Sequence, residues 1–181
     1  AAFSTVRAAA RSDDQLLAAL ATMRGAAGAA VELTLPELTR ALQLARSGVA
    51  AVAVPTLLAR LPAVLAAADG ECGGAPVAAL VDLVTQLHGD ASTPTAMATQ
   101  RGALNALAPR LEAAIRATGA GASPLTDRQL ALVAWAYGRA MLAPRSCRLW
   151  DAIAVAACAR WHTLAPSDAS RVMWGLGQAR I

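Results

Sequence analysis

The chain has 181 residues, of which 56% are apolar and 3% aromatic, and it carries a net charge of +4. This length fits one domain with a sizeable core, and the dominance of Ala and Leu favours close-packed helices. Few stretches are rich in β-branched residues, so no sheet is expected. The most apolar run, residues 49–59, is too short to cross a bilayer and contains Pro55, so neither a transmembrane segment nor a membrane partner is predicted.

The charge is unevenly distributed along the chain, and every one of the 16 basic residues is Arg. Residues 1–100 hold six Arg and eight acids, whereas residues 101–181 hold ten Arg and four acids. A basic half beside a near-neutral half indicates a polyanionic partner for the C-terminal half and a protein partner for the other. Solvated helix faces and the codon usage of a GC-rich genome are the alternative explanations.

Apolar spacing at helical intervals, interrupted by Pro and Gly, predicts an all-α fold of seven or eight helices. In chain order they cover residues 15–23, 33–46, 55–68, 76–89, 94–118, 126–141, 144–162 and 166–179. Pro109 lies inside the fifth helix and is expected to kink or split it. The order indicates one leading helix followed by helix pairs.

A segment near the C-terminus occurs twice, as residues 125–140 and 164–179. The matched positions carry Leu, Val, Trp and Gly at 125, 133, 135 and 138, and again at 164, 172, 174 and 177. A repeat with a period of about 39 residues is typical of stacked supersecondary units. The chain is therefore predicted to be one domain over residues 1–181, an α-solenoid of antiparallel helix pairs whose best repeats are 125–163 and 164–181.

This repeat resembles the octotricopeptide repeat family of green-algal organelles, whose units are helix pairs of similar length. The first helix of that family opens with Leu and Ser or Thr, and later carries an aliphatic residue and a Trp followed by a small residue. Leu125-Thr126 with Val133-Ala-Trp135-Ala136 fits this pattern, as does Leu164 with Val172-Met-Trp174-Gly175. The resemblance covers residues 125–181 well and the rest of the chain weakly. It implies an α-solenoid that binds RNA in an organelle.

The resemblance, the basic half and the small number of repeats together predict a structural component of a mitochondrial ribosome that contacts ribosomal RNA. Neighbouring ribosomal proteins are the expected partners of the N-terminal half. An organellar RNA stability or translation factor and a protein–protein scaffold are the alternatives. Residues 1–12 contain Ala, Arg and Ser without an acid, which resembles the end of a transit peptide or an extended tail. We therefore expect an organellar location, with the mitochondrion favoured over the chloroplast.

Helical repeats that bind single-stranded RNA present polar side chains along a basic face. The candidate RNA-binding residues are Arg101, Arg110, Arg128, Gln129, Arg139, Arg145, Arg148 and Arg171. Helix capping explains Thr126 and Ser167 equally well. Trp135 and Trp174 recur among Val, Ala and Met, so they are expected to pack between helices.

No catalytic, metal or cofactor site is predicted, and the chain is not expected to be an enzyme or to bind a small-molecule substrate. The sequence has two His, and Cys158 with His162 provides only two of the four ligands of a structural zinc site. It lacks a glycine-rich phosphate loop and a nucleophile elbow. Cys147 and Cys158 lie roughly 16 Å apart on one predicted helix, too far for a disulfide.

Overall fold

The computed structural model describes residues 15–16, 18, 33–46, 54–70, 77–87, 94–117, 125–140 and 148–180. Within these ranges it contains seven helices and no strand, which confirms the predicted all-α class. The helices are α1 (Leu35–Leu44), α2 (Val54–Gly70), α3 (Val77–Leu87), α4 (Pro94–Arg116), α5 (Asp127–Arg139), α6 (Arg148–Ala159) and α7 (Pro166–Ala179). Gln15, Leu16 and Ala18 are also helical, and the side chain of Leu16 is buried in the core.

The local sequence explains where the helices begin. At α5, the Thr126 hydroxyl accepts a hydrogen bond from the Gln129 N–H at 3.2 Å, and the Thr126 N–H donates to Gln129 Oε1 at 2.9 Å. At α1, the Thr34 N–H donates to the Glu37 carboxylate at 2.9 Å. Helix α7 begins at Pro166, whose fixed φ suits the first position of a helix. The capping groups satisfy N–H donors that a helix start otherwise leaves without partners.

The helices pack in two layers. Helices α1, α3, α5 and α7 each contact the next member of that series and form the first layer. Helices α2, α4 and α6 form the second layer in the same way. Each of α1, α3 and α5 also packs on the helix that follows it in the chain. This arrangement is compatible with an α-solenoid.

The same pattern of burial recurs from helix to helix. In the first layer, α1, α3 and α5 bury positions i, i+3, i+4 and i+7, which are residues 38, 41, 42 and 45, then 80, 83, 84 and 87, then 130, 133, 134 and 137. In the second layer, the buried positions are i, i+1, i+4 and i+8, which are residues 57, 58, 61 and 65, then 107, 108, 111 and 115, then 149, 150, 153 and 157. The burial pattern therefore repeats from α1 to α6, although sequence identity is visible only near the end of the chain. Helix α7 departs from it and buries residues 168, 172, 175 and 179.

The spacing between first-layer helices is irregular. They begin at Leu35, Val77, Asp127 and Pro166, so the interval from α3 to α5 is the longest and that from α5 to α7 the shortest. The longest interval contains α4, which has 23 residues, whereas the shortest contains α6, which has 12. The period of the sequence repeat therefore describes only the last interval, because the second-layer helices differ in length.

Helix α4 runs unbroken through Pro109, so the expectation that this proline could split the helix is wrong. Pro62 lies inside α2 in the same manner. Both prolines are exposed. On that side, water can satisfy the carbonyl that loses its partner, and the helix tolerates the missing N–H.

Helices α5 and α7 approach each other more closely than apolar side chains would allow. A Cβ atom added to Gly175 would lie 2.5 Å from the Ala134 carbonyl oxygen, and one added to Gly138 would lie 2.9 Å from the Gly175 Cα. Both distances are shorter than van der Waals contact, so the two helices meet backbone against backbone. The absence of side chains at Gly138 and Gly175 permits this crossing.

Candidate RNA-binding surface

One side of α5 lacks fully buried residues, and we call residues 128, 132, 135 and 139 its outer stripe. These positions are four, three and four residues apart, so they follow one face of the helix. Arg128 and Arg139 are exposed, whereas Leu132 and Trp135 are half-buried. The matching stripe of α7 is formed by residues 167, 171, 174 and 178. The outer stripe of α5 thus brings two basic residues and an aromatic ring to the same surface.

The two recurring tryptophans do not lie in the core, contrary to the sequence-based expectation. Trp174 is 42% exposed, and Trp135 is half-buried with the Arg139 guanidinium 5.6 Å from its ring centroid. Trp135 lies five residues after Leu130, which turns it away from the buried i, i+3, i+4, i+7 face. One edge of Trp174 approaches α5, near Gly138.

The aromatic core is formed instead by residues that the sequence did not single out for this role. Trp150 and Tyr137 are fully buried, and their rings pack edge to face with centroids 6.5 Å apart. The Tyr137 hydroxyl donates a hydrogen bond of 2.7 Å to the Leu104 carbonyl of α4. Tyr137 continues the buried register of α5, seven residues after Leu130, and that register was the signal that could have identified it.

Arg128 is exposed at the start of α5 and forms no hydrogen bond or ion pair with any residue that the structure describes. The adjacent carboxylate of Asp127 is held by other groups. Arg160 lies 3.5 Å from one oxygen of Asp127, and the Thr163 hydroxyl donates to the other at 3.0 Å. Arg160 also donates to the Leu125 carbonyl at 2.8 Å. The charge of Arg128 therefore remains available to an anion.

Arg171 and Gln129 have roles within the protein. The Arg171 guanidinium donates to the Asp168 carboxylate at 2.9 Å, and Asp168 is only 6% exposed. Gln129 caps α5 through Thr126. Capping of α5 therefore accounts for Gln129, and the pair with the nearly buried Asp168 accounts for Arg171, without a contact to RNA.

Three of the remaining candidates lie near the end of α5. Arg101 of α4 donates from Nε to the carbonyl of Ala140, the C-cap of α5, at 3.1 Å, and Arg139 precedes Ala140 in the chain. Arg148 is exposed at the start of α6, two residues before Trp150, whose ring contacts Tyr137 in the last turn of α5. The structure therefore brings Arg101, Arg139 and Arg148 to the same end of the layers.

The last two candidates lie elsewhere. Arg110 is half-buried in α4 and donates to the Ala106 carbonyl at 3.5 Å, away from that end of the layers. Arg145 lies outside the described residues. Residues 1–12, which resemble a transit peptide, also lie outside them.

The acids of the C-terminal half are mostly engaged by arginines, and two of these, Arg116 and Arg160, are not among the predicted RNA-binding residues. Glu112 pairs with Arg116 at 3.3 Å, and Asp127 pairs with Arg160. Asp168 pairs with Arg171, so only Asp151 of the four acids has no such pair among the described residues. The arginines at positions 101, 128 and 148 have no carboxylate partner within those residues. Arginines without a carboxylate partner in the described residues therefore lie near both ends of α5.

Other kinds of site find little support in the described residues. No three His, Cys, Asp or Glu side chains there are grouped so that they could hold a metal ion. None of the described helices is long and apolar enough to span a membrane. The outer stripe of α5 with its neighbouring arginines is therefore the candidate that the geometry supports best.

Comparison with known proteins adds no relative: no protein-family model matches the chain, and neither a curated protein nor a solved structure matches it.

Proposed function

We propose that this chain is an α-solenoid of antiparallel helix pairs that binds RNA in an organelle, and that it is a structural component of a mitochondrial ribosome contacting ribosomal RNA. The antiparallel pairing of α5 and α6 is supported at both of their ends. Arg160, after α6, contacts Leu125 before α5, and Trp150 near the start of α6 contacts Tyr137 near the end of α5.

One observation carries the RNA-binding proposal. Three of the four acids in the C-terminal half are paired with arginines inside the protein, while Arg128 and Arg148 stay exposed without a carboxylate partner in the described residues. Arg forms bidentate hydrogen bonds with phosphate and remains charged at any physiological pH. Exposed arginines next to a half-buried Trp are the combination that RNA-binding surfaces use for phosphates and bases.

The ribosomal role rests on the irregular packing and the charge distribution of the described residues. An array with irregular intervals suits one structured RNA better than base-by-base reading of a long message. In the near-neutral N-terminal half, the outward positions of α1 and α3 include Arg40, Gln43, Asp82 and Thr85, a mixed polar surface that suits neighbouring ribosomal proteins. The resemblance to octotricopeptide repeats supports the organellar location.

The proposal is tested by the salt dependence of RNA affinity. The double variant Arg128→Glu with Arg148→Glu should keep its fold, because both residues lie in the first turn of a helix, where the helix dipole favours an acid. Binding of a fragment of mitochondrial ribosomal RNA by wild-type protein should weaken steeply as salt rises, since neutralised phosphates release counterions.

For the variant, we expect weaker binding at every salt concentration. The slope of log K against log salt should be smaller by about 2, because each of the two arginines no longer neutralises a phosphate. Circular dichroism and thermal unfolding of the two proteins should agree. An unchanged affinity and slope in a folded variant would remove this surface from RNA binding.

A further inference from the structure

We infer that Trp135 and Trp174 form a two-step stacking platform for neighbouring unpaired bases, so that the ligand of this surface is single-stranded rather than duplex RNA. This inference rests on the proposed RNA-binding function. It describes how the protein holds the bases, whereas the proposed function describes how the arginines bind the phosphates.

The contacts between α5 and α7 place residues 135 and 174 at the same level along the two helices. At the crossing, Gly175 of α7 lies against both Ala134 and Gly138 of α5. The sequence repeat pairs those two residues with positions 173 and 177, which flank Gly175. The two helices therefore cross in the register of the repeat. Trp174 lies at the same height along α7 as its counterpart Trp135 does along α5.

Close approach of the backbones brings α5 and α7 together beside Gly138. Helices usually pack with axes about 8–10 Å apart, and a glycine at the crossing places α5 and α7 at the short end of that range. The absent side chain at Gly138 makes room for the edge of the Trp174 ring, whose Cζ3 lies 3.1 Å from where a Cβ would be. Two indole rings thus occupy corresponding positions on adjacent outer stripes.

The two rings differ in what covers them. The Arg139 guanidinium lies over Trp135, and a base can stack on the plane of a guanidinium as well as on an aromatic ring. The corresponding residue of α7 is the neutral Gln178, and Trp174 is 42% exposed. Trp174 therefore offers the larger uncovered apolar surface of the two. Stacking on such a surface requires bases that are not already paired within a duplex.

The chain contains a matched control for exposure alone. Trp161 is 47% exposed but lies in the turn after α6, outside both outer stripes. If exposure of an indole were sufficient, Trp161 would contribute to base binding as much as Trp174. The platform predicts that Trp174 does so and that Trp161 does not.

The experiment compares a single-stranded RNA oligonucleotide with an abasic strand of the same length and backbone charge. Wild-type protein should bind the base-containing strand more tightly than the abasic strand, with quenching of tryptophan fluorescence. Trp174→Ala should weaken binding of the base-containing strand by about 5- to 150-fold, the usual range for one stacked base. It should leave binding of the abasic strand unchanged.

Two further variants sharpen the result. Trp174→Phe should retain most of the preference for bases, because a phenyl ring also stacks. Trp161→Ala should retain all of it. Thermal unfolding of each variant shows whether its fold is kept.

The possible failures are distinguishable. Equal affinity of wild-type protein for both strands would overturn the platform and leave phosphate binding intact. Failure to bind either strand would overturn the proposed function together with this inference. A Trp174→Ala variant that changes the sedimentation of the protein but not its preference for bases would show that the ring covers a protein contact instead, which would also overturn the platform.

Discussion

Helices α1 and α3 at one end of the first layer, and α5 and α7 at the other, contact each other through different surfaces. The first pair buries mainly leucine and valine side chains, including residues 38 and 42 on α1 and residues 83 and 84 on α3. The second pair meets at Gly138 and Gly175, where the backbones approach each other and the edge of Trp174 fills the space beside Gly138. Many aliphatic residues can fill a leucine-lined contact, whereas a backbone crossing tolerates only glycine. The C-terminal contact therefore constrains the residues at positions 138 and 175 more strictly than leucine packing constrains the N-terminal contact.

The largest effect in that comparison is expected from an over-packing substitution at the crossing. Gly175→Val should destabilise the protein by about 3 kcal/mol, because the added side chain would meet the backbone of Ala134 rather than a movable side chain. Denaturant unfolding measures the effect.

Gly177 is the matched control on the same helix, since nothing lies within 4 Å of the Cβ that alanine would add there. Gly177→Ala should stabilise the protein slightly, by about 0.5 kcal/mol. A Gly175→Val variant as stable as Gly177→Ala would show that the helices separate without cost.

The second prediction concerns the contact that ties α6 to the start of α5. Arg160→Ala should cost about 2 kcal/mol, because it removes the hydrogen bond to the Leu125 carbonyl and the ion pair with the Asp127 carboxylate at a position only 20% exposed. Arg116 provides the comparison, since it is exposed and its pair with Glu112 joins neighbouring turns of one helix.

Arg116→Ala should therefore change stability by less than about 0.5 kcal/mol. Equal effects of the two substitutions in urea unfolding would mean that Arg160 is only another surface charge.

The third prediction separates helix capping from RNA contact. Thr126→Ala should lower stability by about 1 kcal/mol, and Gln129→Ala by a similar or smaller amount, because the two side chains cap α5 together. We expect neither change to alter RNA affinity in a folded protein. A loss of affinity in Gln129→Ala without a loss of stability would return Gln129 to the RNA contacts.

The smallest effect is expected at the N-terminal end. Arg40 of α1 is exposed like Arg128 of α5, and its guanidinium bonds to Gln43. Arg40→Glu should change RNA affinity by less than about twofold, because α1 lies two helices from α5, about 16–20 Å away and beyond the Debye length at physiological salt. An effect as large as that of Arg128→Glu in the same filter-binding assay would extend the RNA surface over the whole layer.

The bounds of several helices could be predicted from the sequence alone. Helix α7 begins at Pro166 and ends at Ala179, as predicted, since a proline suits the first position of a helix. The path of α4 through Pro109 could not be predicted, because it depends on which side of the helix is exposed. The unequal intervals between first-layer helices could not be predicted either. They depend on the lengths of the second-layer helices, which the sequence repeat does not indicate.

The candidate site was predictable in its charge and less so in its geometry. The concentration of arginine after residue 100 is plain in the sequence, but which arginines are engaged by Asp127 and Asp168 requires the fold. The positions of Trp135 and Trp174 were misjudged because their aliphatic neighbours in sequence belong to another face of the helix. Counting from the buried Leu130 would have placed Trp135 outside the core.

Crosslinking tests most directly whether the C-terminal half of this protein contacts ribosomal RNA in an organelle. Native protein would be irradiated with ultraviolet light and recovered, and the attached RNA sequenced. We predict reads concentrated on one short stretch of mitochondrial ribosomal RNA, with the crosslinked peptide within residues 125–180. Recovery of no RNA above background would contradict the proposed RNA contact.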